Sequence, residues 1–177
     1  MSFIGEVNKG TTYAPGYFLA HGDEDVVRET KEIAQDSALV ITSADGTKHV
    51  PMGTAYPSND GNAIGILYED VDVTVGNMPG SVVTGNAEVY EDRLAPTSES
   101  YNAVTPAGTE NPSEEGWYER SGSAGSYVYT LTKDTEVDSG KTYYAKTVAR
   151  LAAAAKTALE ALGFKFVSSV PSVERPY

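Results

Sequence analysis

The stretch from Ala63 to Leu94 constrains this chain more than any other part of it. It reads A-I-G-I-L-Y-E-D-V-D-V-T-V-G-N-M-P-G-S-V-V-T-G-N-A-E-V-Y-E-D-R-L. Ile64, Ile66 and Tyr68 alternate with Gly65 and Leu67, and Val71, Val73 and Val75 alternate with Asp72, Thr74 and Gly76. Period-two alternation predicts strands with one wet face. Asn77-Met78-Pro79-Gly80 predicts a turn, because proline fixes φ and glycine accepts positive φ. A second β run follows, Ser81–Thr84 and then Ala87–Tyr90. Seven carboxylates and no Lys or Arg fall between Asp60 and Asp92. The centre of the chain is thus β-rich and acidic.

Composition narrows the partners. The chain has 177 residues, 25 Asp and Glu against 13 Lys and Arg, and a net charge of -12. Such a charge repels phosphate backbones and anionic lipid, so neither nucleic acid nor membrane is expected as a partner. There are no cysteines, which removes disulfides, zinc-thiolate sites and cysteine nucleophiles. No apolar run approaches the roughly 20 residues that span a bilayer. A basic segment followed by an apolar run is also missing at the N-terminus, so synthesis in a cytoplasm is expected. Twelve Tyr and 17 Gly favour strands and turns.

Along the chain, Met1–Asn8 is anchored only by Phe3, Ile4 and Val7, and reads as a frayed end or as an arm that adds to a partner's sheet. Val26–Ile33 allows one or two helical turns. Ser37–Ser43 is a β run, Ala44-Asp45-Gly46 a turn and Lys48–Met52 a short strand. Ala95–Asn111, rich in Pro, Ser, Thr and Gly, reads as a linker or long loop. A Tyr-rich section follows with strands at Gly116–Arg120, Ser126–Thr132 and Thr142–Lys146, a three-stranded meander near the lower limit of stability. Val148–Leu162 is the one helix: Val148, Leu151, Ala152, Ala155, Leu159 and Leu162 form a stripe at helical period, with Thr147 to cap it and Gly163 to end it. Phe164–Val167 is a last strand. The fold class is mainly β with one C-terminal α-helix. The body comprises 1–94 and 148–177, with a small three-stranded β module inserted at 95–147.

Reactive constellations are scarce. His21 and His49 have no partners at metal-ligand spacing, and no G-x-S-x-G occurs. Asp70 and Asp72 on one strand face could chelate a hard cation or act as paired carboxylates. A solvated, aggregation-resistant strand face accounts for them better, and for Glu88, Glu91 and Asp92 likewise. No catalytic residue, metal or cofactor is expected. Trp117, Tyr118, Tyr127 and Tyr129 could face a ligand, stacking on sugar rings, or could be the module's own core; the core is favoured.

Four segments carry a resemblance: G-I-L-Y-E-D-V-D-V-T (Gly65–Thr74), G-S-V-V-T-G-N-A-E-V (Gly80–Val89), E-D-R-L (Glu91–Leu94) and A-A-A-K-T-A-L-E-A-L-G-F-K-F-V (Ala153–Val167). Together they resemble the head decoration proteins of tailed bacteriophages. The chain departs from that pattern at 95–147, where N-P-x-x-x-G-W-Y and D-S-G-K-T-Y-Y look like a small β module of phage structural proteins. The resemblance implies a non-enzymatic virion protein, made in the bacterial cytoplasm and bound to the outer capsid surface. It implies the major capsid protein as partner and self-association as a homotrimer. It also implies an N-terminal arm, 1–8, that orders on the shell through Ser2, Phe3, Ile4 and Val7. The alternative is an adhesion module binding host or mucosal glycans through the aromatic section, and a hydrolase using Asp70 or Asp72 is the least supported reading.

Overall fold

The computed structural model describes residues 14–21 and 26–168. The expected arm, with Ser2, Phe3, Ile4 and Val7, lies outside the described residues. The chain divides into two compact units, one of 1–96 with 150–177 and one of 97–149. Among the described residues the protein is mainly β, with a single short C-terminal helix.

The first unit contains β1 (Val27–Ile33), β2 (Ile41–Thr42), β3 (Lys48–Val50), β4 (Ala55–Tyr56), β5 (Gly65–Leu67), β6 (Val71–Asp72), β7 (Met78–Gly85) and β8 (Glu88–Tyr90). A 3-10 turn, Glu91–Arg93, follows β8. The second unit contains β9 (Ser98–Ala103), β10 (Tyr118–Ser121), β11 (Val128–Leu131) and β12 (Tyr143–Ala149). The chain then returns to the first unit for α1 (Ala153–Ala161) and β13 (Lys165–Val167).

In the first unit an antiparallel sheet runs in the order β1-β7-β5-β4. Successive side chains of a strand point to opposite faces. In β7, Val82 therefore joins one apolar cluster, with Ile33, Val50, Leu67, Val71 and Val73. Val83 joins another, with Phe18, Ile66, Val89, Leu94, Ala155, Leu159 and Phe164. In β5, Ile66 and Leu67 divide between the clusters in the same way. The expected wet face is thus absent here, because the sheet is dry on both sides. The small β2-β3-β6 sheet contributes Val50 and Val71 to the first cluster. The second cluster takes Ala155 and Leu159 from α1 and Val89 from β8, which pairs in parallel with β13.

Several expectations are corrected. Val27–Ile33 is an edge strand, not a helical turn; it pairs along β7 and exposes Arg28 and Glu29 at the open edge, the charge placement that discourages edge-to-edge association. Met78-Pro79-Gly80 lies inside β7, opposite Ile33, Glu32 and Lys31. Pro79 is tolerated there because β5 reaches only Val82 and Val83, so β7 is paired on one side at that point. The turn falls earlier, at Thr74–Gly76. β5 and β6 belong to different sheets and do not form one strand. Of Ser37–Ser43, only Ile41 and Thr42 are strand.

The helix is shorter than its apolar stripe. Val148 and Ala149 extend β12, paired with Glu99 and Ser98 of β9. Thr147 is also in β12 and caps nothing. The entry to α1 is held by Asn59, whose Oδ1 accepts the Ala152 N–H at 2.9 Å and whose Nδ2 donates to the Arg150 carbonyl at 2.9 Å. Gly163, at φ +90°, ends the helix as expected. Ala155 and Leu159, one turn apart, are its buried residues.

Candidate functional site

The second unit holds the densest cluster of chemically distinctive side chains. Its four strands run in the order β11-β10-β12-β9. The sheet has four strands where three were expected, because Ser98–Ala103 pairs with β12 and is no linker. Its ends meet: the Thr97 N–H donates to the Ala149 carbonyl at 2.8 Å.

Register places Tyr118 opposite both Leu131 and Tyr144, and Tyr144 opposite Ala103. Alternation then puts Tyr101, Tyr118, Tyr129 and Tyr144 on one face. Tyr101 and Tyr129 stack, with ring centroids 3.9 Å apart and planes 4° from parallel. Tyr118 meets Tyr101 edge-on at 5.2 Å, and Tyr144 meets Tyr129 edge-on at 5.2 Å. The Arg120 guanidinium lies 4.2 Å from the Tyr127 ring centre and 5.0 Å from that of Tyr144. Lys146 and Glu99 close the end of this face as an ion pair at 2.7 Å. Rings packed edge to face and under a cation gain beyond their area burial. They also occupy one another's faces, which removes those faces from a ligand.

The opposite face is the unit's core. Trp117 packs against Tyr143 at 5.6 Å and is 8% exposed, and Tyr143 is fully buried. The Tyr143 hydroxyl donates to Asp134 at 2.7 Å and accepts the Asp138 N–H at 3.1 Å. Lys141 bridges Asp134 at 2.8 Å and Glu119 at 3.3 Å. Lys141, then Tyr143, hold the Asp134 carboxyl below the usual range by hydrogen bonding, and Asp134 raises Lys141 in return. Burial pushes the Tyr143 phenol up.

The four residues expected to face a ligand are therefore divided. Tyr118 and Tyr129 belong to the tyrosine face and Tyr127 joins it through Arg120. Trp117 does not: it is a core residue on the other side. Tyr101, Arg120 and Tyr144 complete the tyrosine face without having been singled out from the sequence. The signal was available, since neighbours such as Tyr143 and Tyr144 in a strand must face opposite ways.

The acidic positions of the first unit serve its backbone. Asp70 accepts the Met52 N–H at 2.7 Å. Asp72 accepts the Thr74 N–H at 2.8 Å, and Thr74, first through its hydroxyl and then through that N–H, holds Asp72 below the usual carboxylate range. Glu91 pairs with Lys156 at 2.6 Å, and Glu88 with His21 at 3.2 Å. His21, Glu88, Asn86 and Lys165 line an open cleft of about 330 Å³. His49 is buried between β2 and β6, and its Nδ1 has no hydrogen-bond partner. Among the described residues, no three or more His, Asp or Glu side chains gather as a metal cluster. No described helix is long and apolar enough to cross a membrane.

The depressed carboxyls set an acid limit. Asp45, Asp60, Asp72 and Asp134 all sit below their ordinary value in the folded state. As pH falls, the unfolded chain takes up protons first, near the ordinary aspartate value of about 3.9. The stability these groups contribute is full above that value and is lost as pH falls through their folded pKa values. The urea midpoint should be level between about pH 7 and pH 5 and drop below about pH 4. An unchanged midpoint at about pH 3 would refute this.

No protein-family model, curated protein or solved structure matches this chain.

Proposed function

We propose that this chain is a structural virion protein that binds the outer surface of a tailed-phage capsid and stabilises the expanded head. One observation carries the reading: the four segments that resemble decoration proteins supply most of the body's double core, with Phe18, Leu19, Ala55, Ala63, Ile33 and Val50 completing it from outside them. Leu67, Val71, Val73, Val82, Val83, Val89, Leu94, Ala155, Leu159 and Phe164 all come from them and are all buried. Their polar residues are structural too. Arg93 lies against the Tyr17 and Tyr90 rings at 4.5 and 4.3 Å and donates to the Tyr17 carbonyl at 3.3 Å. Asp70 and Glu91 hold backbone and helix as described above. A resemblance concentrated in a scaffold supports a binding or bracing role over a catalytic one.

On this reading the partner is the major capsid protein, the body assembles as a homotrimer, and the second unit is a module carried on the decoration-protein body. Several weak contacts made together give slow exchange from a shell. The glycan alternative is less favoured, because Trp117 is buried and the Tyr101 and Tyr129 faces cover each other. The test is co-sedimentation with expanded, undecorated heads of the phage that encodes the chain, comparing full-length protein with a deletion of residues 1–8. Saturable pelleting that weakens in the deletion is expected. Absence of pelleting at micromolar protein would overturn the proposal.

A further inference from the structure

The second unit ends its sheet on an open strand that lacks the usual protection. β11 is an edge strand. β11 and the residues that flank it, Ser126 to Thr132 (S-Y-V-Y-T-L-T), carry no charge and no proline. Tyr127, Val128 and Leu131 are 42%, 58% and 51% exposed. By contrast, the edge strand β1 carries Arg28, Glu29, Lys31 and Glu32. Long-lived edges are normally blunted by charge, proline or bulges.

The hydrogen-bond phase of β11 can be read directly. The Thr132 N–H donates to the Trp117 carbonyl at 2.9 Å, continuing the register of Tyr118 with Leu131. In an antiparallel ladder, alternate residues bond alternate neighbours. Thr132, Thr130 and Val128 therefore face β10. Tyr129 and Leu131 present their N–H and C=O groups outward, and carrying the same alternation one residue beyond the strand adds Tyr127, symmetric with Leu131 about Tyr129.

The geometry points to a second copy of this chain as the occupant of that edge, its β11 lying antiparallel across a two-fold axis at Tyr129. In this register Tyr129 faces Tyr129 of the other copy, Tyr127 faces Leu131, and Val128 faces Thr130. Every outward N–H and C=O of the three residues finds its mate. The side-chain pairs are aromatic with aromatic, aromatic with aliphatic and β-branched with β-branched, the kinds that stabilise adjacent strands. A two-fold contact requires such self-complementarity. Charge permits the copy at this edge: a chain of net charge -12 repels itself overall, and β11 lets two copies meet without opposing like charges along the strand. One short strand pair is a small contact and weak in free solution, so it gains most where copies are already held close together. The inference does not rest on the capsid reading, and it concerns a two-fold contact between second units, separate from any trimer of the bodies.

A covalent trap tests it in the full chain, which has no cysteine of its own. Opposed residues that are not hydrogen-bonded to each other lie within disulfide reach across antiparallel strands. The double variant Val128→Cys with Thr130→Cys places each new thiol opposite its mate in the other copy. Under mild oxidation it should run as a covalent dimer on non-reducing denaturing gels. The control Ser100→Cys with Asn102→Cys, exposed on the other edge strand β9, should give at least about tenfold less. Val128→Lys with Thr130→Lys should abolish concentration-dependent association through the second unit in sedimentation velocity. Equal dimer yields from the two cysteine pairs, or none from either, would overturn the inference. So would an edge that captures a strand of a different protein while leaving copies of this chain unlinked.

Discussion

Trp117→Ala is expected to unfold the second unit. The indole is 8% exposed and lies 5.6 Å from the fully buried Tyr143 ring, and the Trp117 N–H donates to the carbonyl of buried Pro112 at 3.0 Å. Truncating a buried Trp costs about 3–5 kcal/mol, from lost transfer energy and from the cavity left behind. A unit this small buries little surface and has a correspondingly small margin. Amide exchange of β10, β11 and β12 should lose most of its protection, and the near-ultraviolet signal of the tyrosines should collapse. Trp117→Phe, which keeps a ring against Tyr143, should retain the fold. Were the indole a ligand-facing surface group, truncation would cost within about 0.5 kcal/mol, and protection would survive. The experiment therefore separates a core tryptophan from a sugar-stacking one. It also limits what loss of binding in such a variant could mean, since an unfolded unit binds nothing.

The places where local pattern succeeded and failed have a common physical cause. Short-range punctuation was legible: Ala44-Asp45-Gly46 joins β2 to β3, and Gly163 ends α1 at positive φ. These depend on backbone freedom within a few residues. Alternation identified β-rich segments and placed Val71 and Val73 inward and Asp72 and Thr74 outward, but it misjudged the wet side of β5. A strand such as β5 shows its pattern only to its two neighbouring layers, and both layers here are apolar. The Pro79-Gly80 pair looked like a turn because its two special residues permit one. In β7 they serve other needs, an unpaired flank at Pro79 and tight packing at Gly80, where a Cβ would come within 2.8 Å of Ile33 Cγ1 and 2.9 Å of Val71 Cγ2.

Long-range partners were the least legible. The start of α1 is fixed by Asn59, some ninety residues away in sequence, and not by the nearby Thr147. The apolar stripe that begins at Val148 is interrupted because β9 captures Val148 and Ala149, with the residues before them, into a sheet. Pairing with a distant strand overrides local helix preference when it satisfies a whole row of backbone groups at once. The tyrosine face shows the same limit. Tyr101 stacks on Tyr129 although their strands, β9 and β11, are the two outer members of the four-stranded order, a proximity that spacing along the chain does not reveal.

Gly65→Ala should be the most disruptive methyl group that can be added to the first unit. Gly65 opens β5, pairs with Tyr56 of β4 and lies beside β7. A Cβ there would land on the Val83 carbonyl oxygen and within 2.6 Å of Val82 Cγ1. Neither neighbour can give way easily. Val82 and Val83 are fully buried, and β7 is held in register from its other side by β1, where Arg28 faces Val83. Relief requires moving β5 away from β7, which opens the sheet between the two apolar clusters. Replacing glycine by alanine usually favours the folded state by about 0.4–1 kcal/mol through the unfolded chain. Overpacking of a filled site costs about 1–3 kcal/mol and occasionally more, and a clash against backbone belongs at or beyond the upper end. The steric term decides the sign, so a net loss of about 2 kcal/mol or more is expected. Gly61→Ala is the control: nothing lies within 4 Å of its Cβ position, and its urea midpoint should match the wild type or rise slightly. If Gly65→Ala and Gly61→Ala unfold at the same urea concentration, the close approach of β5 to β7 is wrong, and with it the double core that the proposed function rests on.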